Sequence, residues 1–294
     1  MQTEWMVPIA LTSGLILSAF KLGTRFLLRR PQWDSPIMLG AVSIAFVITS
    51  GWFGHLAWAG RMPFSAEILN GNVASVLLGF ASGLAGHVVG LRQRTRPLIS
   101  AALMCLAIGF VITPVARTLF FPLNLSASSN WNGEVCLQSH PASCAPAAAV
   151  TLLAQHGVEA SEQQLAVDCW TSAMGTEPLG LYRGLASTAR RNGLRARVAS
   201  SDPQDWIRKG QIPNAALVRF KPLRHEHRRV FFGSAREGHV VTILGRTDGG
   251  RWIVGDPAIG RITWSDEELR SCFTGDAIYL SDHPSSKSEP ASVR

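Results

Sequence analysis

The chain has 294 residues, of which 47% are hydrophobic and 16% are charged. This balance excludes an intrinsically disordered protein, because disorder requires low hydrophobicity and a high density of charge. The net charge of +8 is concentrated in residues 1–120, which hold nine basic and three acidic side chains against 19 and 17 in the remainder. The basic residues flank apolar stretches and form no stripe with aromatic residues, so the composition argues against nucleic-acid binding.

Apolar stretches recur along the first 120 residues, and each is close to the roughly 20 residues that a helix needs to cross the bilayer. We predict four transmembrane helices, at about 7–28, 36–59, 68–91 and 98–116. The first is the weakest, because Lys21 interrupts it and its ammonium group must reach the lipid headgroups. A cleaved signal peptide is the less favoured interpretation, since no basic residue precedes this stretch.

The distribution of basic residues predicts the orientation of these helices. Basic clusters follow the first and third predicted spans, at residues 21–30 and 92–96, whereas the loop after the second contains only Arg61. The positive-inside rule places the two clusters in the cytoplasm. Everything after residue 117 is then expected on the periplasmic side of the inner membrane.

One face of the third predicted span is lined by glycine: Gly79, Gly83, Gly86 and Gly90. Small residues allow a second helix to approach closely. We expect this face to pack inside the four-helix unit, and a homodimer formed through it is the alternative. The membrane half is expected to act as an anchor or scaffold in the lipid bilayer.

The second half of the chain has the composition of an ordinary soluble domain. We predict a linker at 121–133, the domain at 134–282 and a disordered tail at 283–294. Helix-start signals come first, at Cys144, Ser161, near Leu181 and at Pro203, and a last capping box lies at Ser265. Apolar runs predict strands at about 214–220, 239–245 and 251–255. This order indicates an α+β domain.

Four residues of this domain form a candidate catalytic set. Cys144 is the predicted first residue of a helix, where free N–H groups and the macrodipole stabilise a thiolate. A base and a residue that orients it can come from His239 and Asp256, which begin and follow neighbouring predicted strands. A hairpin register whose residue numbers sum to 495 or 497 places those two on one face, whereas 496 or a bulge separates them. Gln138, six residues before Cys144, can offer its amide to an oxyanion.

These residues lie in three segments: CLQSHPASCAPA from residue 136, GHVVTIL from residue 238 and GDP from residue 255. In them the chain resembles the bacteriocin-processing cysteine peptidases, which cut double-glycine leader peptides. The resemblance covers about residues 134–281 and implies a papain-like fold and a peptide or protein substrate. It also implies Cys144 as nucleophile, His239 as base, Asp256 orienting His239, and Gln138 in the oxyanion hole. The ATP-driven export module of typical members is not expected, since the chain contains no P-loop.

Cys136 and Cys169 are candidates for a disulfide bond. The expected compartment is oxidising, and the resemblance extends to a subgroup that carries both cysteines. Free buried thiols are the alternative.

No cofactor or metal is expected, because the sequence contains no dinucleotide fingerprint and no paired Cys-x-x-Cys motifs. His225 and His227 are flanked by arginines, which favours a solvated loop over a metal site. The leading hypothesis is a membrane-anchored cysteine peptidase, whose acyl-enzyme could also pass to an amine in a transpeptidase or amidase reaction. A noncatalytic peptide-binding or assembly module on a membrane scaffold is the alternative.

Overall fold

A computed structural model describes residues 5–27, 33–51, 55–59, 72–88, 91–220 and 238–282. The chain divides into two compact units. The first comprises Met1–Gly54 and Met62–Phe120, and the second comprises His55–Arg61 and Phe121–Arg294. The predicted tail at 283–294 and the histidines at 225 and 227 lie outside the described residues.

Apolar helices form the first unit: α1 (Met6–Leu27), α2 (Asp34–Gly51), α3 (Val73–Ala85) and α4 (Arg96–Phe120). Within the described residues, α1 over Met6–Phe26 and α4 are long and apolar enough to cross a membrane. The other two have 18 and 13 residues. At 1.5 Å per residue they reach only about 27 and 20 Å.

The predicted spans 36–59 and 68–91 are therefore longer than the helices found there. Residues 55–59 of the second predicted span are not α-helical, and α3 ends at Ala85 with Gly86 as its C-terminal cap. Glycine commonly terminates helices, which the apolar pattern alone does not register. Residues 52–54, 60–71 and 89–90, among them the predicted Gly90 contact, lie outside the described part of the chain.

Part of the second predicted span belongs to the second unit instead. Leu56–Trp58 form a short 3-10 turn there, and Leu56 has no exposed surface. His55 Nδ1 lies 3.5 Å from the Asp276 carboxylate. Residues 55–59 are thus a sequence-distant piece of the second unit.

The glycine face of α3 packs against α1. A Cβ atom at Gly79 would lie 2.9 Å from the carbonyl oxygen of Ile16, and one at Gly83 would meet the carbonyl of Phe20. On another face, the hydroxyls of Ser82 and Ser100 each donate to the other residue's carbonyl, at 2.7 and 2.8 Å. Missing side chains and paired hydroxyls therefore join α3 to its neighbours inside the unit.

An antiparallel sheet organises the second unit. Its strands are β3 (Leu194–Val198), β4 (Asn214–Arg219), β5 (Gly238–Arg246), β6 (Trp252–Asp256), β7 (Gly260–Trp264) and β8 (Phe273–Asp282). They lie side by side in the order β3-β8-β4-β5-β6-β7. A small hairpin of β1 (Asn130–Asn132) and β2 (Val135–Leu137) precedes them.

The helices of this unit are α5 (Cys144–Ala154), α6 (Glu162–Asp168), α7 (Pro178–Arg191), α8 (Gln204–Arg208) and α9 (Asp266–Cys272). The predicted helix starts are confirmed at Cys144, at the Ser161 cap and at the Ser265 capping box. The strands predicted at 214–220, 239–245 and 251–255 correspond to β4, β5 and β6.

A core of aromatic and aliphatic side chains supports the sheet. Trp206 and Trp252 have no exposed surface and meet edge to face with their ring centroids 5.8 Å apart. Phe273 makes a second edge contact with Trp206 at 5.2 Å. Such pairs add about 0.5–1.5 kcal/mol to the burial of their surface, so this cluster fixes β6 and β8 relative to α8.

Candidate active site

Cys144 is the first residue of α5 and is half-buried. The turn before it is closed by hydrogen bonds to one carbonyl, since the N–H and the hydroxyl of Ser143 both donate to His140 O, at 3.0 and 2.7 Å. The backbone N–H groups of the first helical turn have no partners within the helix. The sulfur therefore lies at the positive end of α5.

Two buried hydroxyls hold α5 in place. Thr242 of β5 donates to the Ala148 carbonyl at 3.0 Å. Thr151 donates to Ala147 O at 3.1 Å and accepts the Cys136 N–H at 2.9 Å, which joins α5 to β2. The helix that carries Cys144 is thus fixed to the strand that carries His239.

The register of β5 and β6 brings His239 and Asp256 to one face. Thr242 pairs with Gly255 and Ile243 with Val254, so the residue numbers sum to 497. Continuing this register sets His239 diagonally across from Asp256. A bulge follows Ile243, but it lies on the far side of these pairs from His239. The diagonal arrangement that the sequence left open is the one observed.

His239 Nε2 lies 2.8 Å from Asp256 Oδ1, and both side chains are largely buried. The same carboxylate oxygen accepts the Ala258 N–H at 2.8 Å, which fixes it in the turn after β6. Burial alone would lower the pKa of His239, but the hydrogen bond to Asp256 and the interaction with the nearby Cys144 raise it to about 9. The site favours an imidazolium beside the sulfur.

Gln138 follows β2 and is tied to the same turn. Its backbone N–H donates to the Pro257 carbonyl at 2.8 Å. Its side-chain Nε2 donates to His140 O at 3.2 Å, while Oε1 is buried without a partner among the described residues. One amide hydrogen remains for another acceptor.

The sequence did not identify two further residues near this site. Glu162 begins α6 and binds Ser139, the neighbour of Gln138, yet in the sequence it is an ordinary acidic residue of a first helical turn. Phe220 lies with its ring centroid 5.9 Å from the ring of His239, and only its position at the end of a predicted strand pointed to it.

The predicted disulfide between Cys136 and Cys169 is wrong, because both thiols are free in the structure. The Cys169 sulfur packs against the backbone of Gly184 in α7, whereas Cys136 lies in β2 near Ser129 and Glu162. Burial, followed by the charge of Glu162, raises the pKa of Cys136 to about 11. Burial also raises the pKa of Cys169 and of Cys272. These three thiols resist ionisation at neutral pH.

Across the described ranges, no three His, Cys, Asp or Glu side chains cluster in a way that could hold a metal ion. The chemistry that this arrangement supports is nucleophilic attack by sulfur with proton transfer through an imidazole.

Comparison with known proteins gives two archaeal relatives, both described as uncharacterized proteins. The protein from Methanothermobacter thermautotrophicus is 31% identical over 146 residues, which is 50% of this chain and 87% of that protein. The protein from Methanothermobacter marburgensis is 31% identical over 143 residues, 49% of this chain and 84% of the relative.

Solved structures with similarity to this chain include peptidase domains. A double glycine motif protease from an AMS/PCAT transporter, in complex with the leader peptide, is 22% identical with a TM-score of 0.40, covering 53% of this chain and 94% of its own. The peptidase domain of Streptococcus ComA, a bi-functional ABC transporter, is 22% identical with a TM-score of 0.38, covering 50% and 96%. The sequence model of the Peptidase C39 family matches residues 132–285, and the chain therefore belongs to this family of cysteine peptidases with a papain-like α+β fold.

Proposed function

We propose that this chain is a membrane-anchored peptidase that hydrolyses a peptide bond with Cys144 as nucleophile, His239 as base and Asp256 as the residue that orients His239. The observation that carries the proposal is the 2.8 Å hydrogen bond between His239 Nε2 and Asp256, with Cys144 at the start of α5 close enough to His239 to raise the pKa of the imidazole. A peptide or protein is the proposed substrate, in keeping with the family. The double-glycine leader of some relatives is not assigned to this chain.

The reaction follows from the positions of these groups. The Cys144 thiolate attacks the carbonyl carbon of the substrate, which forms a C–S bond and an oxyanion. Because Nε2 of His239 is bonded to Asp256, Nδ1 is the nitrogen that can give its proton to the leaving amine as the C–N bond breaks. Neutral His239 then takes a proton from water as the water oxygen attacks the thioester carbon. The C–S bond breaks, the acyl group leaves as a carboxylic acid, and the thiolate–imidazolium pair is restored.

The proposed oxyanion hole consists of the Cys144 backbone N–H and the Gln138 side-chain amide. The Cys144 N–H belongs to the first turn of α5, where N–H groups have no partner within the helix. The Gln138 amide can donate because Nε2 uses one hydrogen on His140 O and has a second available. Loss of one such donor costs about 10²–10³ in kcat in other enzymes.

Cleavage of a peptide library by the full-length chain in detergent tests the nucleophile, with products identified by mass spectrometry. Cys144→Ala should abolish cleavage, while Cys105→Ala, which removes an exposed cysteine of α4, should leave it intact. Turnover by the Cys144 variant would refute the assignment. Products that carry an added amine in place of water would identify a transpeptidase, and peptide binding by wild type without any product would favour the noncatalytic module.

We further propose that the membrane region crosses the bilayer four times and that residues after Phe120 lie in the periplasm. The basic residues Arg92, Arg94 and Arg96 at the start of α4 support a cytoplasmic position for that end. Two crossings and four crossings both place the residues after Phe120 on the same side of the membrane, since either number returns the chain to the side from which it started. The inclusion of residues 55–59 in the second unit also agrees, because the predicted topology has that loop outside.

Reporter fusions in a bacterial host test this orientation. A phosphatase that folds only in the periplasm should be active when fused after Asp282 and inactive when fused after Arg94. The opposite pattern would place the catalytic domain in the cytoplasm. The packing of Gly79 and Gly83 against α1 favours a monomeric helix unit over a homodimer formed through that face, and light scattering of the detergent-solubilised protein can measure this.

A further inference from the structure

Glu162 is a buried acid that the proposed reaction does not use. It is the first residue of α6, and it has 0% exposed surface. Its Oε2 accepts the Ser139 hydroxyl at 2.6 Å and its Oε1 accepts the Ser139 N–H at 3.0 Å. Burying a carboxylate is costly unless donors replace the water that it loses. The two donors of Ser139 therefore bind residue 139 firmly to the start of α6.

Ser139 directly follows Gln138, so this bond anchors the backbone next to the proposed oxyanion donor. Two further anchors lie on either side: the Gln138 N–H donates to Pro257 O, and the His140 N–H donates to the Ser143 hydroxyl at 3.1 Å. The Gln138 side chain is itself weakly held, because Oε1 has no partner within the described chain and Nε2 makes a single bond at 3.2 Å. The direction of its amide therefore depends on the backbone of residues 138–140.

A third contact makes Glu162 part of a fixed frame. Its own N–H donates to the Ser129 hydroxyl at 3.0 Å, which links α6 to the segment before β1. The neighbouring Ser161 caps the helix by accepting the Gln164 N–H at 3.1 Å. The carboxylate therefore projects from a helix start that is held on both sides.

We propose that Glu162 is a positioning residue for the oxyanion hole: by binding Ser139 it fixes the backbone that directs the Gln138 amide toward the reacting carbonyl. This inference rests on the proposed function of Gln138. Glu162 contacts no substrate in this role and acts only through residues 138 and 139.

The test compares Glu162→Gln, Gln138→Ala and the double variant in steady-state cleavage of a peptide that the wild type cuts. Glutamine keeps the shape of Glu162 but turns an NH₂ group toward a Ser139 donor. The resulting displacement of the Gln138 amide is expected to lower kcat by about 10- to 100-fold with little change in KM. In the Gln138→Ala background the same substitution should cause no further loss, because the donor that it positions is already gone.

Two measurements separate this role from a general loss of structure. Alkylation of Cys144 by iodoacetamide builds no oxyanion, so its rate should be unchanged in Glu162→Gln. The matched control is Glu267→Gln, which changes an exposed acid in the first turn of α9. It should change neither kcat nor the rate of Cys144 alkylation. Should Glu162→Gln fail to fold, Ser139→Ala removes only the hydroxyl donor and should give a smaller loss of kcat with the same absence of effect in the Gln138→Ala background.

Losses of kcat that multiply in the double variant, or alkylation that slows together with kcat, would overturn the positioning role. A failure of the proposed function looks different. In that case Gln138→Ala keeps its kcat, or Cys144→Ala still cleaves, and the parent assignment falls together with this inference.

Discussion

Replacing Asp256 by Asn removes a negative charge but keeps an oxygen that can accept the bond from His239 Nε2. The rise of the His239 pKa from 6.5 to about 9 corresponds to about 3 kcal/mol in favour of the imidazolium. Asp256 and Cys144 share this stabilisation against the opposing effect of burial. We expect Asp256→Asn to lower the pKa of His239 by about one unit, or about 1–2 kcal/mol.

The pH dependence of kcat/KM measures this effect. If the active form is the thiolate–imidazolium pair, activity should fall as His239 loses its proton, near pH 9 in the wild type. In Asp256→Asn this alkaline limb should move down by about one pH unit. The apparent pKa values read from the profile belong to Cys144 and His239 as a coupled pair. Asp248→Asn, in the exposed turn between β5 and β6, is the matched control. An unmoved limb would refute the idea that Asp256 maintains the charge on His239.

Three further predictions follow from the same structure. The charged form of His239 stabilises the folded protein below pH 6.5, and this stabilisation is lost as the pH rises toward about 9. The Tm of the wild type should therefore decline across that range more steeply than the Tm of His239→Ala. At pH 7 iodoacetamide should modify Cys144 selectively over the buried thiols, and labelling of those thiols at an equal rate would contradict their raised pKa values. Gly184→Ala places a Cβ atom against the Cys169 sulfur and should cost about 1–3 kcal/mol in thermal unfolding. Gly245→Ala, where the added atom meets nothing within 4 Å, should cost far less.

The sequence predicted the parts of the fold that have strong local signals. Ser161 and Ser265 were identifiable as caps because their hydroxyls and the residues three positions later match a known motif. The strands at 194–198, 260–264 and 273–282 were missed. The first two are short sheet edges where arginine and threonine interrupt the apolar pattern, whereas the third lies inside the sheet between β3 and β4. Local patterns are weak where one side of a strand faces solvent.

The candidate site was predictable in its residues and not in its geometry. The sequence left the register open among pairings that place His239 and Asp256 on one face and pairings that separate them. The pairing of Thr242 with Gly255 beneath α5 makes the choice. Glu162 could not be found, because acids in a first helical turn are normally solvated. The disulfide prediction failed because the compartment says nothing about where the Cys169 sulfur points.

The burial of Leu56 bears on how the catalytic half can be produced separately. A fragment that starts at residue 121 would lack this buried side chain and would leave Asp276 without its ion pair to His55. Emptying a leucine site costs about 2–5 kcal/mol, which is a large part of the stability of a small domain. Joining residues 55–61 to such a fragment through a flexible linker would restore the buried Leu56 side chain. A separately produced peptidase domain is therefore best designed from two segments of the chain, 55–61 and the residues after Phe120.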